Sequence, residues 1–141
     1  YQSSKWALEA LAENYRVELS GFGIENCIVE PGGYPTAFSD NLLRPSDNSR
    51  EVGYGDFAKV PEAALHNFEN VLKNNPQQNP QKVADAFAEL IEKPKGDKSF
   101  RTAVDFIGMA DHIQNYNEHL EQIMTGLYTN FGTQGMLSVR N

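Results

Sequence analysis

Cysteine is almost missing from this chain of 141 residues: Cys27 stands alone, so no internal disulfide framework exists. A lone thiol suits a reducing compartment and points to the cytoplasm. It reads as a small core residue, because no His or Lys stands near it in sequence to activate it. Histidine is scarce too, at three residues: His66, His112 and His119. The last two lie seven apart, near one helix face. Zinc sites on helices pair histidines at i, i+4 and add a third ligand, a pattern not found here, so no metal is expected. Basic residues are outnumbered, 12 against 19, for a net charge of −7, which argues against a nucleic-acid surface. No apolar run approaches the ~18 residues of a membrane span. Residues 1–141 contain no Asn-x-Ser/Thr acceptor and no stretch that reads as a secretory leader, and without a G-x-S-x-G elbow hydrolase chemistry is not expected. Repeats and low-complexity tracts are absent.

What the chain does contain is ordinary for one globular domain: 40% hydrophobic and 22% charged residues. Tyr1 and Lys5 open a run of good helix formers without Pro or Gly until Gly21. Four residues apart on a helix is about one turn, which puts phenol and ammonium on one face. A phenol is a poor base at neutral pH, and a neighbouring ammonium favours the phenolate, so the pair fits an acid/base that moves a proton on or off an alcohol oxygen. Taken alone, the spacing also occurs wherever a core tyrosine precedes a solvated lysine.

The sequel matters more. Gly21-Phe22-Gly23 makes a turn, residues 24–30 read as a short, largely buried strand, and Pro31-Gly32-Gly33-Tyr34-Pro35-Thr36 forms a Gly-rich loop. Helix, turn, strand and loop make half of a parallel α/β unit, and ligands of open α/β sheets bind where loops leave the carboxyl ends of strands. Gly32 and Gly33 would let backbone approach such a ligand closely. Without the helix before it, Pro31-Gly32 would read as an ordinary turn.

Y-x-S-S-K at 1–5, V-E-P-G at 29–32 and Thr36 in P-G-x-x-x-T, in that order and at that distance, resemble the short-chain dehydrogenases/reductases. Residues 100–105 are similar to that family's last sheet strand. The resemblance covers essentially the whole chain and implies a Rossmann-like, doubly wound α/β fold of which residues 1–141 form the C-terminal half. The expected order is helix, strand, loop, helices, strand, helix. It implies hydride transfer between NAD or NADP and a carbonyl/alcohol substrate. Tyr1 would be the general acid/base. Lys5 would support it and hold the nicotinamide ribose hydroxyls. Pro31, Gly32, Tyr34 and Thr36 would border the nicotinamide. Tyr34 stands where the family often has a small branched residue, and Pro35 offers no N–H.

Because residue 1 is Tyr and not Met, the sequence reads as truncated. The family's substrate-orienting serine, its relay asparagine and the phosphate-binding Gly-rich loop are expected upstream, so the piece alone is expected to be inactive and unstable. The choice between NAD and NADP stays open. Two other readings compete. A scaffold could have kept the fold and lost the chemistry, and sugar-nucleotide epimerases and dehydratases share the Tyr/Lys spacing, though P-G-x-x-x-T and the short tail argue against them.

In chain order, the spacing predicts a helix over residues 2–20 with Leu8, Leu11, Ala12, Tyr15 and Leu19 turned to the sheet. Trp6, Ala10 and Val17 form a second strip, suited either to a homo-oligomer through this helix or to another part of the same chain. Residues 37–58 read as a mobile substrate-loop region with a short helix near 38–43. Gly33, Phe38, Leu42 and Tyr54 are its candidate substrate contacts, with Leu43 and Phe57 beside them, although the apolar side chains would equally pin the loop to the core. Helices are expected over 60–74 (Leu65, Phe68, Val71 and Leu72 inward), over 80–92 (Val83, Ala84, Phe87, Leu90 and Ile91 inward, Asn79 as cap), and from an Asp111 cap onward (Ile113, Tyr116, Leu120, Ile123, Met124 and Leu127 inward). Residues after Gly132 read as frayed.

Overall fold

A computed structural model describes residues 1–139, with α1 over Gln2–Ser20, β1 over Ile28–Pro31, α2 over Val60–Lys73, α3 over Gln81–Glu92, β2 over Arg101–Val104 and α4 over Ala110–Asn130. Short 3-10 segments cover Glu51–Lys59 and Gln134–Leu137. The chain divides into two units, Tyr1–Gly32 together with the chain from Gln81 onward, and Gly33–Pro80. The element order is the expected one, and the architecture is mixed α/β around a small parallel sheet.

In the first unit, β1 and β2 pair in parallel from Ile28↔Arg101 to Pro31↔Val104. The ladder runs past both ends: Ile28 N–H donates to the Phe100 carbonyl at 2.7 Å, and Gly32 N–H to the Val104 carbonyl at 2.9 Å. Parallel strands need a long crossover, and here α3 ends it and packs on both strands while α4 packs on β2. The first strand is shorter than expected. Residues 24–27 are instead spent leaving α1, where Gly23 takes a positive φ of 70°. Gly23 N–H returns to the Ser20 carbonyl and Ile24 N–H to that of Leu19, the two bonds of a Schellman closure. Nor is β1 fully buried: Ile28, Val29 and Glu30 are half-buried and Pro31 is exposed.

The apolar expectation for α1 holds only in part, Ala12 and Leu19 being half-buried. Leu8, Leu11 and Tyr15 are exposed, whereas Val17 and Ser20 are buried and Glu9, Glu13 and Arg16 are half-buried. Charge is the reason. The Arg101 side chain is 5% exposed, and its guanidinium meets Glu9 at 3.3 Å, Glu13, and Glu30 at 3.8 Å. Arg16 makes a two-pronged pair with Glu121 of α4 at 2.6 and 2.7 Å and donates through Nε to the Leu137 carbonyl at 3.0 Å. Both guanidiniums lie over the Phe100 ring, at 4.5 Å for Arg16 and 4.8 Å for Arg101. These bonds also correct the frayed tail: Leu137 is buried.

Elsewhere each helix turns in a narrower stripe than its apolar count suggests. On α3, Val83, Ala86 and Leu90 face in, while Phe87 and Ile91 are exposed. On α4, Ile113, Asn117, Leu120 and Met124 face in, while Tyr116, Ile123 and Leu127 are exposed. Two strands are too small a surface to cover every apolar stripe of three helices. The first residue of α4 follows a cap at Met109, with Asp111 inside the first turn.

In the second unit, Pro61 sits in the first turn of α2, where its missing N–H is harmless. Leu72 is buried, and Leu65 half-buried, on the inward side of α2. Phe68 and Val71 are exposed. The short helix expected near 38–43 is a series of turns, and the helical piece lies later, at Glu51–Lys59, broken where Gly55 adopts φ 55° and ψ −133°. Gln78, at 1% exposure the most buried polar residue among the described residues, donates to the Gly33 carbonyl and fastens the start of the loop to the end of the unit.

Candidate functional site

Tyr1 is the N-cap of α1, and the Ser4 hydroxyl and the Lys5 N–H both donate to its carbonyl, at 2.7 and 3.1 Å. This places Lys5 one turn on, with Nζ 5.5 Å from the centre of the Tyr1 ring. Tyr1 is 73% exposed, so phenol and ammonium face water together. A donor-acceptor hydroxyl beside a three-donor cation fits a ligand that carries an alcohol or carbonyl oxygen next to further hydroxyls.

Pro31 and Gly32 leave the carboxyl end of β1 in the same unit. Gly32 has no room for a side chain: a Cβ there would stand 2.1 Å from Oδ1 of Asp105, which is buried. Asp105 in turn accepts through Oδ2 from the N–H groups of Ile107, at 3.2 Å, and Met109, at 3.0 Å, just ahead of α4.

Gly33, Tyr34, Thr36, Phe38, Leu42 and Tyr54 belong to the second unit. A Cβ on Gly33 would stand 2.3 Å from the Phe68 ring. Each glycine thus lies against a side chain of its own unit that leaves no room for a Cβ. Tyr34 and Thr36 line a cleft of about 180 Å³ with Pro35, Asp40, Leu72 and Lys73. Phe38, Leu42 and Tyr54 are not part of its lining. Phe38 and Tyr54 are exposed and Leu42 half-buried.

Among the described residues no three His, Cys, Asp or Glu side chains gather in a way that could hold a metal ion. Burial, with the charge of Glu25 added, pushes the Cys27 thiol up, which keeps it protonated and unreactive. No helix of the described residues is long and apolar enough to cross a membrane.

Sequence reading missed the charged cluster behind β1. Glu30 accepts from the Nδ2 of Asn117, whose Oδ1 is buried with no partner. Burial raises the Glu30 carboxyl above its ordinary value; the Asn117 hydrogen bond opposes this, the charge of Glu9 adds to it, and Arg101 opposes it again. Because the folded value lies above the unfolded one, the native state holds this proton more tightly. The resulting stability is full below the unfolded value and is lost as pH rises through the folded one. Glu30→Gln should then flatten the part of the stability profile that falls between acidic and neutral pH, read as urea midpoints across that range. An unchanged slope would remove Glu30 as its source. Glu121, lowered by its bond to Arg16, acts with the opposite sign, its stabilisation being lost as the medium is acidified.

No family model matches the chain. Individual proteins do. Over 101 residues it is 35% identical to the uncharacterized oxidoreductase YusZ of Bacillus subtilis (strain 168), covering 66% of this chain and 32% of that protein. Against 17-beta-hydroxysteroid dehydrogenase type 1 of Homo sapiens, identity is 28% over 113 residues, 76% of this chain and 32% of the relative. Retinol dehydrogenase 8 of Homo sapiens matches at 30% over 102 residues, 67% and 31% respectively. The chain thus spans about a third of the length of these relatives. With Y-x-S-S-K at the head of α1 and P-G-x-x-x-T leaving β1, these shared stretches make the chain a member of the short-chain dehydrogenase/reductase family of oxidoreductases.

Proposed function

We propose that residues 1–141 are the C-terminal part of a longer, Rossmann-type oxidoreductase that interconverts an alcohol and a carbonyl. The remaining strands of that protein would complete a doubly wound sheet on the two seen here. NAD(H) or NADP(H), when bound, accepts or supplies the hydride. Residues of this stretch share in the proton transfer and in holding the nicotinamide end. Tyr1 exchanges the proton at its Oη with the substrate oxygen, and Lys5 supports it and binds the ribose hydroxyls. Pro31, Gly32, Tyr34 and Thr36 border the nicotinamide. Gly33, Phe38, Leu42 and Tyr54 contribute to the substrate side, within a substrate region over 37–58.

The observation that carries this reading is the exposed Tyr1–Lys5 pair on one face of α1, with Nζ 5.5 Å from the ring. Two matched relatives are named for a hydroxysteroid and for retinol, which favours an apolar ketone, aldehyde or alcohol as substrate. The exposed aromatic rings of Phe38 and Tyr54 suit such a molecule. Residues 1–141 alone leave Leu8, Leu11 and Tyr15 uncovered, and are expected to be inactive by themselves. A homo-oligomer through α1 fits Trp6, which stays exposed although it meets Tyr116 edge-on at 6.3 Å. The cytoplasm remains the expected location.

The test is to express the longer protein that contains this sequence and to titrate it with NADH and NADPH, following reduced-nucleotide fluorescence. Reduction of steroid ketones and retinal would be followed in parallel. One nucleotide should bind at roughly micromolar concentration, the lower end of ordinary KM values. Binding of neither would overturn the oxidoreductase reading.

A further inference from the structure

Asp105 is buried, and it closes the stretch 100–105 that resembles the family's last sheet strand, with no role yet given to its side chain. One of its oxygens is occupied by two backbone donors, Ile107 and Met109, the segment that opens α4. The other stands 2.1 Å from where a Cβ on Gly32 would be, so the carboxylate lies directly against the Gly32 backbone. Gly32 is also tied through its N–H to the Val104 carbonyl, one residue before Asp105. A peptide bond in the ladder fixes Gly32 along the strand, and the carboxylate fixes it across the strand.

We propose that Asp105 is a positioning residue for the nucleotide: clamped by the Ile107 and Met109 N–H groups, its carboxylate sets where Pro31 and Gly32 stand at the end of β1. This rests on the reading that Pro31 and Gly32 border the nicotinamide. The carboxylate's effect on the nucleotide passes through the backbone of Gly32, and a side chain at 32 must displace either that backbone or the Asp105 carboxylate. Charge-assisted bonds from two N–H groups hold the wedge more firmly than a neutral side chain would.

The experiment uses the longer enzyme and four versions besides the unmodified one: Asp105→Ala, Asp105→Asn, Gly32→Ala and the Gly32→Ala/Asp105→Ala pair. Nucleotide Kd is read by fluorescence, with KM and kcat for the nucleotide and a thermal melt beside it, all well below the melting temperature. Asp105→Ala should raise Kd and KM about tenfold or more while kcat at saturation changes less than about threefold, the split expected when positioning of a bound group is lost. Asp105→Asn, which keeps an oxygen for Ile107 and Met109, should restore most of the affinity. Gly32→Ala should weaken binding at least as much, and the pair should bind better than Gly32→Ala alone, because the methyl then fills the vacated space. A lower melting temperature with unchanged Kd and KM in Asp105→Ala would overturn the proposal, as would equal weakening by Gly32→Ala with and without the Asp105 carboxylate. Should Asp105→Ala not fold, Gly32→Ala decides alone, and unchanged nucleotide affinity in it overturns the proposal. If the unmodified enzyme binds no nucleotide, the proposed function fails first and this assignment falls with it.

Discussion

Tyr1→Phe, made in the longer enzyme, is expected to lower carbonyl reduction by about 10²- to 10⁴-fold, the span that a positioned proton donor contributes. At ~1.36 kcal/mol per factor of ten, this is a rise of ~3 to 5 kcal/mol in the barrier. Only the Oη atom is removed. Phe keeps the ring against which Lys5 rests, with Nζ 5.5 Å from its centre, and the carbonyl that accepts from Ser4 and Lys5 is backbone. Helix α1 therefore starts as before, and nucleotide affinity should stay within about threefold, since the lost atom acts in the chemical step. Lys5→Ala should behave differently and weaken nucleotide binding as well as turnover. Single-turnover rates with each reduced nucleotide measure both. A Tyr1→Phe enzyme that keeps more than a tenth of the native rate would show that the proton comes from elsewhere.

Arg101→Ala is expected to cost ~3 to 5 kcal/mol of folding stability, the range for breaking a buried ion pair by removing one partner. Three carboxylates depend on this guanidinium: Glu9 and Glu13 from α1 and Glu30 from β1. All three side chains are mostly buried, at 27%, 27% and 19% exposure, so water does little to replace the lost cation. Urea unfolding followed by circular dichroism gives the loss directly. Neutralising the acids is the control. Glu9→Gln, Glu13→Gln and Glu30→Gln combined with Arg101→Met should recover most of the stability, because the damage lies in uncompensated charge and not in lost volume. If the combined variant is no more stable than Arg101→Ala, the cluster is not what joins α1 to the sheet.

The features that rest on neighbouring residues were legible in the sequence. The limits of α1 follow from the absence of a breaker before Gly21, and the start of α2 follows from Pro61 in its first turn. The motif residues Tyr1 and Lys5 share a face because helical spacing alone puts them there. The second strand was placed within a residue at each end. What failed was the orientation of faces. Apolar count turned Leu8, Leu11 and Tyr15 inward, whereas Arg101, 88 and 92 residues away from its α1 partners, turns Glu13 and Glu9 inward instead. Nothing local to α1 carries that information. Phe87 and Ile91 on α3 mislead in the same way, since a two-stranded sheet has no surface left for them. The close neighbours of Gly32 and Gly33, a carboxylate at 105 and a ring at 68, are tertiary and leave no trace in the local sequence. Asp105 itself gave no signal beyond an acid at the end of a strand.

The long reach of Arg101 has a consequence during synthesis. Glu9 and Glu13 leave the ribosome 92 and 88 residues before the cation that draws them inward. At the usual ~5 to 20 residues per second, Glu9 and Glu13 wait roughly 4 to 18 s for that cation. The parallel pairing of β1 with β2 waits for the same event, because the second strand begins at Arg101. Both the strand pairing and the acid cluster therefore form late in synthesis, and a stall or truncation ahead of Arg101 leaves Glu9 and Glu13 without that cation.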